Sequence, residues 1–195
     1  MSSALRACRV TSLSCLLLVS TVDQARAEAI QGMSGVLNVF GAMHNAPCAL
    51  DMSSAYQDID LGSVSRSQLQ RPGDQATPVA FQLRFVDCQR ASGSLQSERT
   101  GNLVWSASEP VVSVAFVAPA DADDPRLVKV QGVTGMGLLL TDALGRDAAL
   151  GSRGEPLFLQ YGNDTLTWNV QPVRTSAALS NGAFRAAVDF RLVYE

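Results

Sequence analysis

An all-β sandwich is the fold class this sequence predicts, on three observations. Apolar residues recur at alternate positions in one segment after another, the pattern of strands with one buried face and one wet face. The segments are short and separated by turn signals, among them Arg71-Pro72-Gly73-Asp74, Gly162-Asn163-Asp164 and Ser180-Asn181-Gly182. No 3.6-residue periodicity of helix length occurs between residues 28 and 195.

The first 27 residues stand apart. Arg6 and Arg9 precede a mostly apolar run from Val10 to Val22, and Ala25-Arg26-Ala27 is a small-x-small cleavage site. This is the pattern of a secretory signal peptide, 1–27. The apolar run is shorter than the roughly 18 to 20 residues a membrane span needs. Residues 28–195 then form one domain-sized chain with 12 basic and 17 acidic residues. Lys129 is its single lysine and no basic cluster remains, which argues against nucleic acid as a partner. Export also decides the cysteines. Cys8 and Cys15 leave with the leader, and Cys48 and Cys88 are expected to pair in an oxidising compartment. Closing that loop stabilises by about 4 kcal/mol in the chain-entropy model.

Taken in order, residues 28–43 alternate weakly, with Met33, Leu37, Val39 and Met43 on one parity and Gly35 and Gly41 between them. Such a tail is not self-sufficient, and its alternation predicts pairing with something else. Ile59 to Val64 is a short extended piece with a glycine break. Val79, Phe81, Leu83 and Phe85 form a half-buried strand that runs into Cys88, which is out of phase and predicts a bulge or strand end. Residues 90–110 read as a long surface loop with room for a short hairpin at Leu103-Val104-Trp105. Val111 to Val117 is a strand with Val112, Val114 and Phe116 on one face. Leu127 to Gln131, Met136 to Leu140, Ala148 to Leu150, Leu157 to Tyr161 and Leu166 to Val170 supply further strands.

The last segment, Gly182 to Glu195, carries the longest alternation: Phe184, Ala186, Val188, Phe190, Leu192 and Tyr194. A strand ending the sequence has no later strand to pair with. As a sheet edge, its backbone and apolar face would need cover from elsewhere.

Catalytic and metal patterns are absent from the sequence. His44 is the single histidine, and neither a nucleophile motif, a P-loop nor H-E-x-x-H occurs. Two cysteines and one histidine are too few for structural zinc, and Asp121, Asp123 and Asp124 lack EF-hand spacing. The expectation is a protein without enzymatic activity, metal or cofactor. Trp168 keeps strand parity and is expected in the core; Trp105 is expected at the surface.

Several short motifs occur in a defined order. Gly41 stands seven residues before Cys48, in the turn Asn45-Ala46-Pro47-Cys48, and Leu61-Gly62 follows. The strand Val79 to Phe85 leads to Cys88, G-M-G-L-L-L-T-D-A-L-G spans Gly135 to Gly145, and G-x-F-x-A-x-V-x-F-x-L-x-Y spans Gly182 to Tyr194. With the leader, these make the chain resemble structural subunits of bacterial chaperone–usher fimbriae, the type 1 pilin-like proteins. The resemblance implies an incomplete immunoglobulin-like sandwich, the pilin domain 44–195, preceded by a donor-strand extension 28–43. Met33, Gly35, Leu37 and Val39 would be the donor face, and the terminal strand would edge the groove that receives it. The implied partners are a periplasmic chaperone, an outer-membrane usher and neighbouring subunits in a head-to-tail polymer, exported through the periplasm to the cell surface. Shaft and minor subunit both fit. The alternative is a self-contained adhesin that binds a glycan or surface receptor through residues 90–110.

Overall fold

Where apolar residues alternate, strands form, and their inward side chains join one core. The structure, a computed structural model, describes Leu37 and residues 46–194. Ten strands occur among the described residues: β1 (Ala49–Leu50), β2 (Val79–Cys88), β3 (Gly93–Gln96), β4 (Leu103–Ser106), β5 (Val111–Val117), β6 (Val128–Lys129), β7 (Met136–Asp142), β8 (Leu157–Phe158), β9 (Gly162–Arg174) and β10 (Asp189–Tyr194). They make a five-stranded sheet in the order β1-β2-β9-β7-β6, a three-stranded sheet β10-β5-β8, and the two-stranded ribbon β3-β4. All named pairs are antiparallel.

Leu83, Phe85, Leu138, Leu140, Trp168 and Val170 come from the larger sheet to meet Val112, Val114 and Phe116 from the smaller one. Trp168 joins the layers. Its ring stacks on Phe81 at 6.3 Å within its own sheet and meets Phe116 edge-on at 5.7 Å across the core. Edge-on and offset contacts of this kind place the positive ring edge on the negative ring face.

Cys48 and Cys88 form a disulfide with their Cα atoms 4.1 Å apart. It joins the residue before β1 to the end of β2, beside the Ala49–Val86 pair. The expected irregularity near Cys88 is a bulge. The β2–β9 register shifts between Phe85 and Cys88, and Asp87 takes φ of 54°.

Several readings from sequence need correction, among them the strand expected at Ala148 to Leu150, which does not form, and that at Leu157 to Tyr161, which is regular only over Leu157–Phe158. Residues 90–110 are less a loop than a pinned hairpin. Leu95 and Ser97 are buried, and Gly93 lies so close to the backbone at Val111 that a Cβ there would sit 2.5 Å from the Val111 nitrogen. Two ion pairs hold the connection between its strands, Arg99 Nε to Glu155 at 3.0 Å and Arg153 Nε to Glu98 at 2.7 Å. For the same reason β5 is buried on both faces: Val111, Ser113 and Ala115 are covered as fully as Val112, Val114 and Phe116. The proposed strand Leu127 to Gln131 is regular only over Val128–Lys129, with a separate bridge from Gln131 to Arg185. The terminal strand is also shorter than its alternation. Only Asp189–Tyr194 pairs with β5, and the part before it bridges to Gln131 beside the other sheet. The segment therefore crosses between layers without losing parity.

Trp168 is 4% exposed and Trp105 65%, as expected of a core and a surface residue. The acidic loop spends its carboxylates on its own shape and its neighbours. Asp124 pairs with Arg126 at 2.7 Å, and Asp123 accepts from the Ala177 N–H at 2.8 Å. Hydrogen bonds from Ala177 and Thr175 hold the Asp123 carboxyl below its ordinary value.

Because Trp168 contacts both layers, Trp168→Ala is expected to cost about 3 to 5 kcal/mol, read as a lowered urea midpoint. Trp105→Ala is expected to leave that midpoint nearly unchanged.

Candidate functional site

The core is not closed on every side. A groove of about 1280 Å³ runs along β10. Its floor is the core itself, lined by the half-buried Phe81 and the buried Leu83, Phe116, Leu138, Leu140 and Val170. Its two walls are stretches of backbone that lack a ladder partner on the groove side among the described residues.

The second wall is Gly182 to Asp189, continued by Phe190 and Leu192 of β10. β10 pairs with β5 through six residues, from Asp189–Val117 to Tyr194–Val112, and has no other strand partner among the described residues. Phe184, Val188, Phe190, Leu192 and Tyr194 are only half-buried although all pack against the core. Ala186, on the same parity, is exposed. The base of this wall is braced from behind. Arg185 exchanges backbone hydrogen bonds with Gln131 at 2.8 and 3.0 Å. Gly132, at φ +101°, lies so close that a Cβ would meet the Ala183 carbonyl at 2.2 Å.

The first wall is Ala55 to Val64. Its course begins where β1 stops pairing with β2. A one-turn helix, Met52–Ala55, is capped by Asp51, whose carboxylate accepts from the Ser53 N–H at 2.8 Å. The buried Ser54 hydroxyl accepts from the Arg84 N–H at 2.9 Å, and the Gln57 amide donates to the Gln82 carbonyl at 2.9 Å. Those side-chain bonds replace the interrupted ladder, and the chain then runs free of both sheets. Asp60 accepts from the Gly62 N–H at 2.8 Å, with Gly62 at φ +61°, which sets the break in the wall. Leu61 and Val64 reach back to the core.

An apolar floor between two unpaired backbone walls can accept an extended segment. The walls offer N–H and C=O groups, and the floor takes alternate side chains. At one end of the second wall sits Tyr194. Its hydroxyl is buried with no hydrogen-bond partner among the described residues, and burial pushes its pKa up to about 12.

The sequence matches the family model described as Fimbrial protein over residues 37–195. The chain belongs to the fimbrial protein family. Among relatives of this fimbrial protein, the long polar fimbria protein A of Salmonella typhimurium is 27% identical over 95% of this chain and 96% of its own length. The Pap fimbrial major pilin protein of Escherichia coli is 28% identical over 89% and 90%. The fold is likewise similar to the P pilus rod subunit PapA, with TM-score 0.62 and 28% identity over 77% of this chain and all of that one. It is also similar to a subunit of a chaperone–usher pilus whose structure bears on rod uncoiling, with TM-score 0.63 and 26% identity over 85% and 97%. The architecture is the incomplete immunoglobulin-like sandwich of those pilins.

The fimbrial structure brings Phe184, Ala186, Val188, Phe190 and Leu192 together along one wall of a single groove, with Tyr194 beyond them at the end of β10. Of the predicted donor face, Met33, Gly35 and Val39 lie outside the described residues, as does His44; Leu37 is described and its side chain is exposed. Sequence reasoning missed the first wall. Ile59 to Val64 looked like a minor extended piece, and no local pattern in the sequence marks it as half of a groove.

Tyr194→Phe removes an unsatisfied buried hydroxyl and keeps the ring, so unfolding stability is expected to hold or rise, whereas Tyr194→Ala lowers it. Because the folded-state pKa lies above the ordinary 10.0, the phenol's contribution is present below pH 10.0 and is lost as pH rises toward about 12. Near-ultraviolet absorbance titration of wild type against Tyr194→Phe reads the late-ionising phenol directly.

Proposed function

We propose that this protein is a structural subunit of a bacterial fimbria and joins its neighbours by strand addition. The N-terminal segment 28–43 of one copy lies in the groove of the next, with Met33, Leu37 and Val39 turned to the floor and Gly35 at a shallow point. The observation that carries this reading is the groove beside β10, whose floor is the protein's own core. Each fully buried Met, Leu or Val contributes roughly 1.5 to 3 kcal/mol, and the backbone ladder adds to that. Donor and acceptor are different surfaces of the chain, so the contact is head-to-tail and generates an open filament.

The domain assignment follows: signal peptide 1–27, donor segment 28–43, pilin domain 44–195. Cys48 and Cys88 brace the start of that domain, and Phe184, Ala186, Val188, Phe190, Leu192 and Tyr194 form the receiving edge. Before assembly the open groove requires a substitute strand, the role of a periplasmic chaperone, and an outer-membrane usher then passes the subunit to the fibre at the cell surface. The role is structural, not enzymatic.

A second reading rests on Trp105 and Leu103, which are 65% and 62% exposed on one face of the pinned hairpin. A complete, self-contained domain could present that face to a glycan.

Urea unfolding of the chain lacking residues 1–43, with and without a peptide copying 28–43, separates the two. The strand-addition reading expects marginal stability alone and several kcal/mol more with peptide. A domain that is stable alone and indifferent to the peptide would overturn it and favour the adhesin.

A further inference from the structure

We propose that Asn181–Gly182, on the lip of the groove, is a site of spontaneous deamidation, and that seating a strand in the groove suppresses the reaction. The suppression rests on the strand-addition reading above; the reaction itself does not.

The chain has six asparagines, and Asn181 is the one followed by glycine. The reaction needs the following backbone nitrogen to reach the asparagine side-chain carbonyl carbon, and a side chain on that next residue obstructs the approach. Gly182 offers none. Both residues are exposed and lie outside any strand or helix. Neither the Asn181 side chain nor the Gly182 N–H makes a hydrogen bond among the described residues. The two are nonetheless held at both sides. Ser180 exchanges bonds with Thr134, its N–H donating to the carbonyl at 3.2 Å and its Oγ accepting from the Thr134 N–H at 2.9 Å. Beyond them Arg185 is bridged to Gln131. The arch packs against Gly132 at Ala183, but the exposed Asn181 side chain, which makes no hydrogen bond among the described residues, can turn its carbonyl carbon onto the Gly182 nitrogen.

The step balances with water alone. The deprotonated Gly182 nitrogen bonds to the Asn181 Cγ, the C–N bond to the side-chain amide breaks, and ammonia leaves. The resulting five-membered imide takes up water, and either of its two C–N bonds opens. One product is an aspartate and the other an isoaspartate whose backbone carries one more methylene. Nothing is oxidised or reduced. Each product adds a negative charge at the rim of an apolar groove, and the iso form shifts the spacing of the second wall, which Gly182 itself lines. A strand laid along that wall would fix its backbone and hold the arch away from the reactive geometry.

The test is peptide mapping by mass spectrometry, with isoaspartate detection, on purified monomer incubated at mildly alkaline pH and on fibres assembled from the same protein. In monomer, the peptide containing Asn181 is expected to show the amide-to-acid mass change and to split into two isomers. The peptide containing Asn169, inside β9 and followed by a β-branched residue, should stay unchanged, and Asn181→Gln should abolish the signal. Equal persistence of the Asn181 and Asn169 amides in monomer would overturn the site. In fibres, conversion at Asn181 is expected to fall several-fold; equal conversion in fibre and monomer would overturn the suppression. If no fibres form, the strand-addition reading falls and the suppression with it, while the monomer result still decides the site.

Discussion

The constraint on which the rest depends is an apolar core that the described strands cannot finish enclosing. Leu83, Leu138, Leu140 and Val170 belong to the buried cluster and also form the floor of an open groove. Burial of such surface drives the fold, at about 25 cal/mol per Å². Along this one line Phe81 and the edge residues Phe184, Val188, Phe190 and Leu192 stay half-buried, so part of that driving force is unspent, and the backbone edges on either side are unpaired as well. Both deficits have the same remedy, an extended segment whose alternate side chains point inward.

The remainder of the molecule keeps that line open without collapse. The walls could fall together and cover the floor only if their roots moved, and both roots are fixed. One is fixed by the Ser54, Gln57 and Arg84 hydrogen bonds against β2, the other by the Gln131–Arg185 bridge and the close approach at Gly132. Meanwhile β5, which carries β10, is packed on both faces by the core and by the pinned hairpin. The edge next to the groove is thus mounted on the most enclosed strand of its sheet.

Period-two alternation is a local property, so β2, β5, β7, β9 and β10 were legible directly in the chain. The cysteine pair was legible from the count left once the expected leader is set aside. What was not legible depends on neighbours that no local pattern names. The second buried face of β5 exists because the β3–β4 ribbon lies over it, and Gly93 and Ser94 carry no strand signal of their own. The passage of the terminal segment from Gln131 to β5 leaves its parity intact, so Phe184 to Tyr194 reads as one strand although it serves two layers. The first wall has no periodicity because it has no sheet partner, and the same fact makes it half of the candidate site.

The position of the Cys48–Cys88 bridge bears on how the molecule would carry tension. A pull arriving through the segment before Cys48 meets a covalent junction to β2 before it reaches the helix at Met52 or the wall beyond it. β2 is paired with β9 along most of its length, with the strands antiparallel and the hydrogen bonds across the line of pull. Force entering there is therefore shared by many bonds in shear before any of it reaches the chain between Cys48 and the first wall.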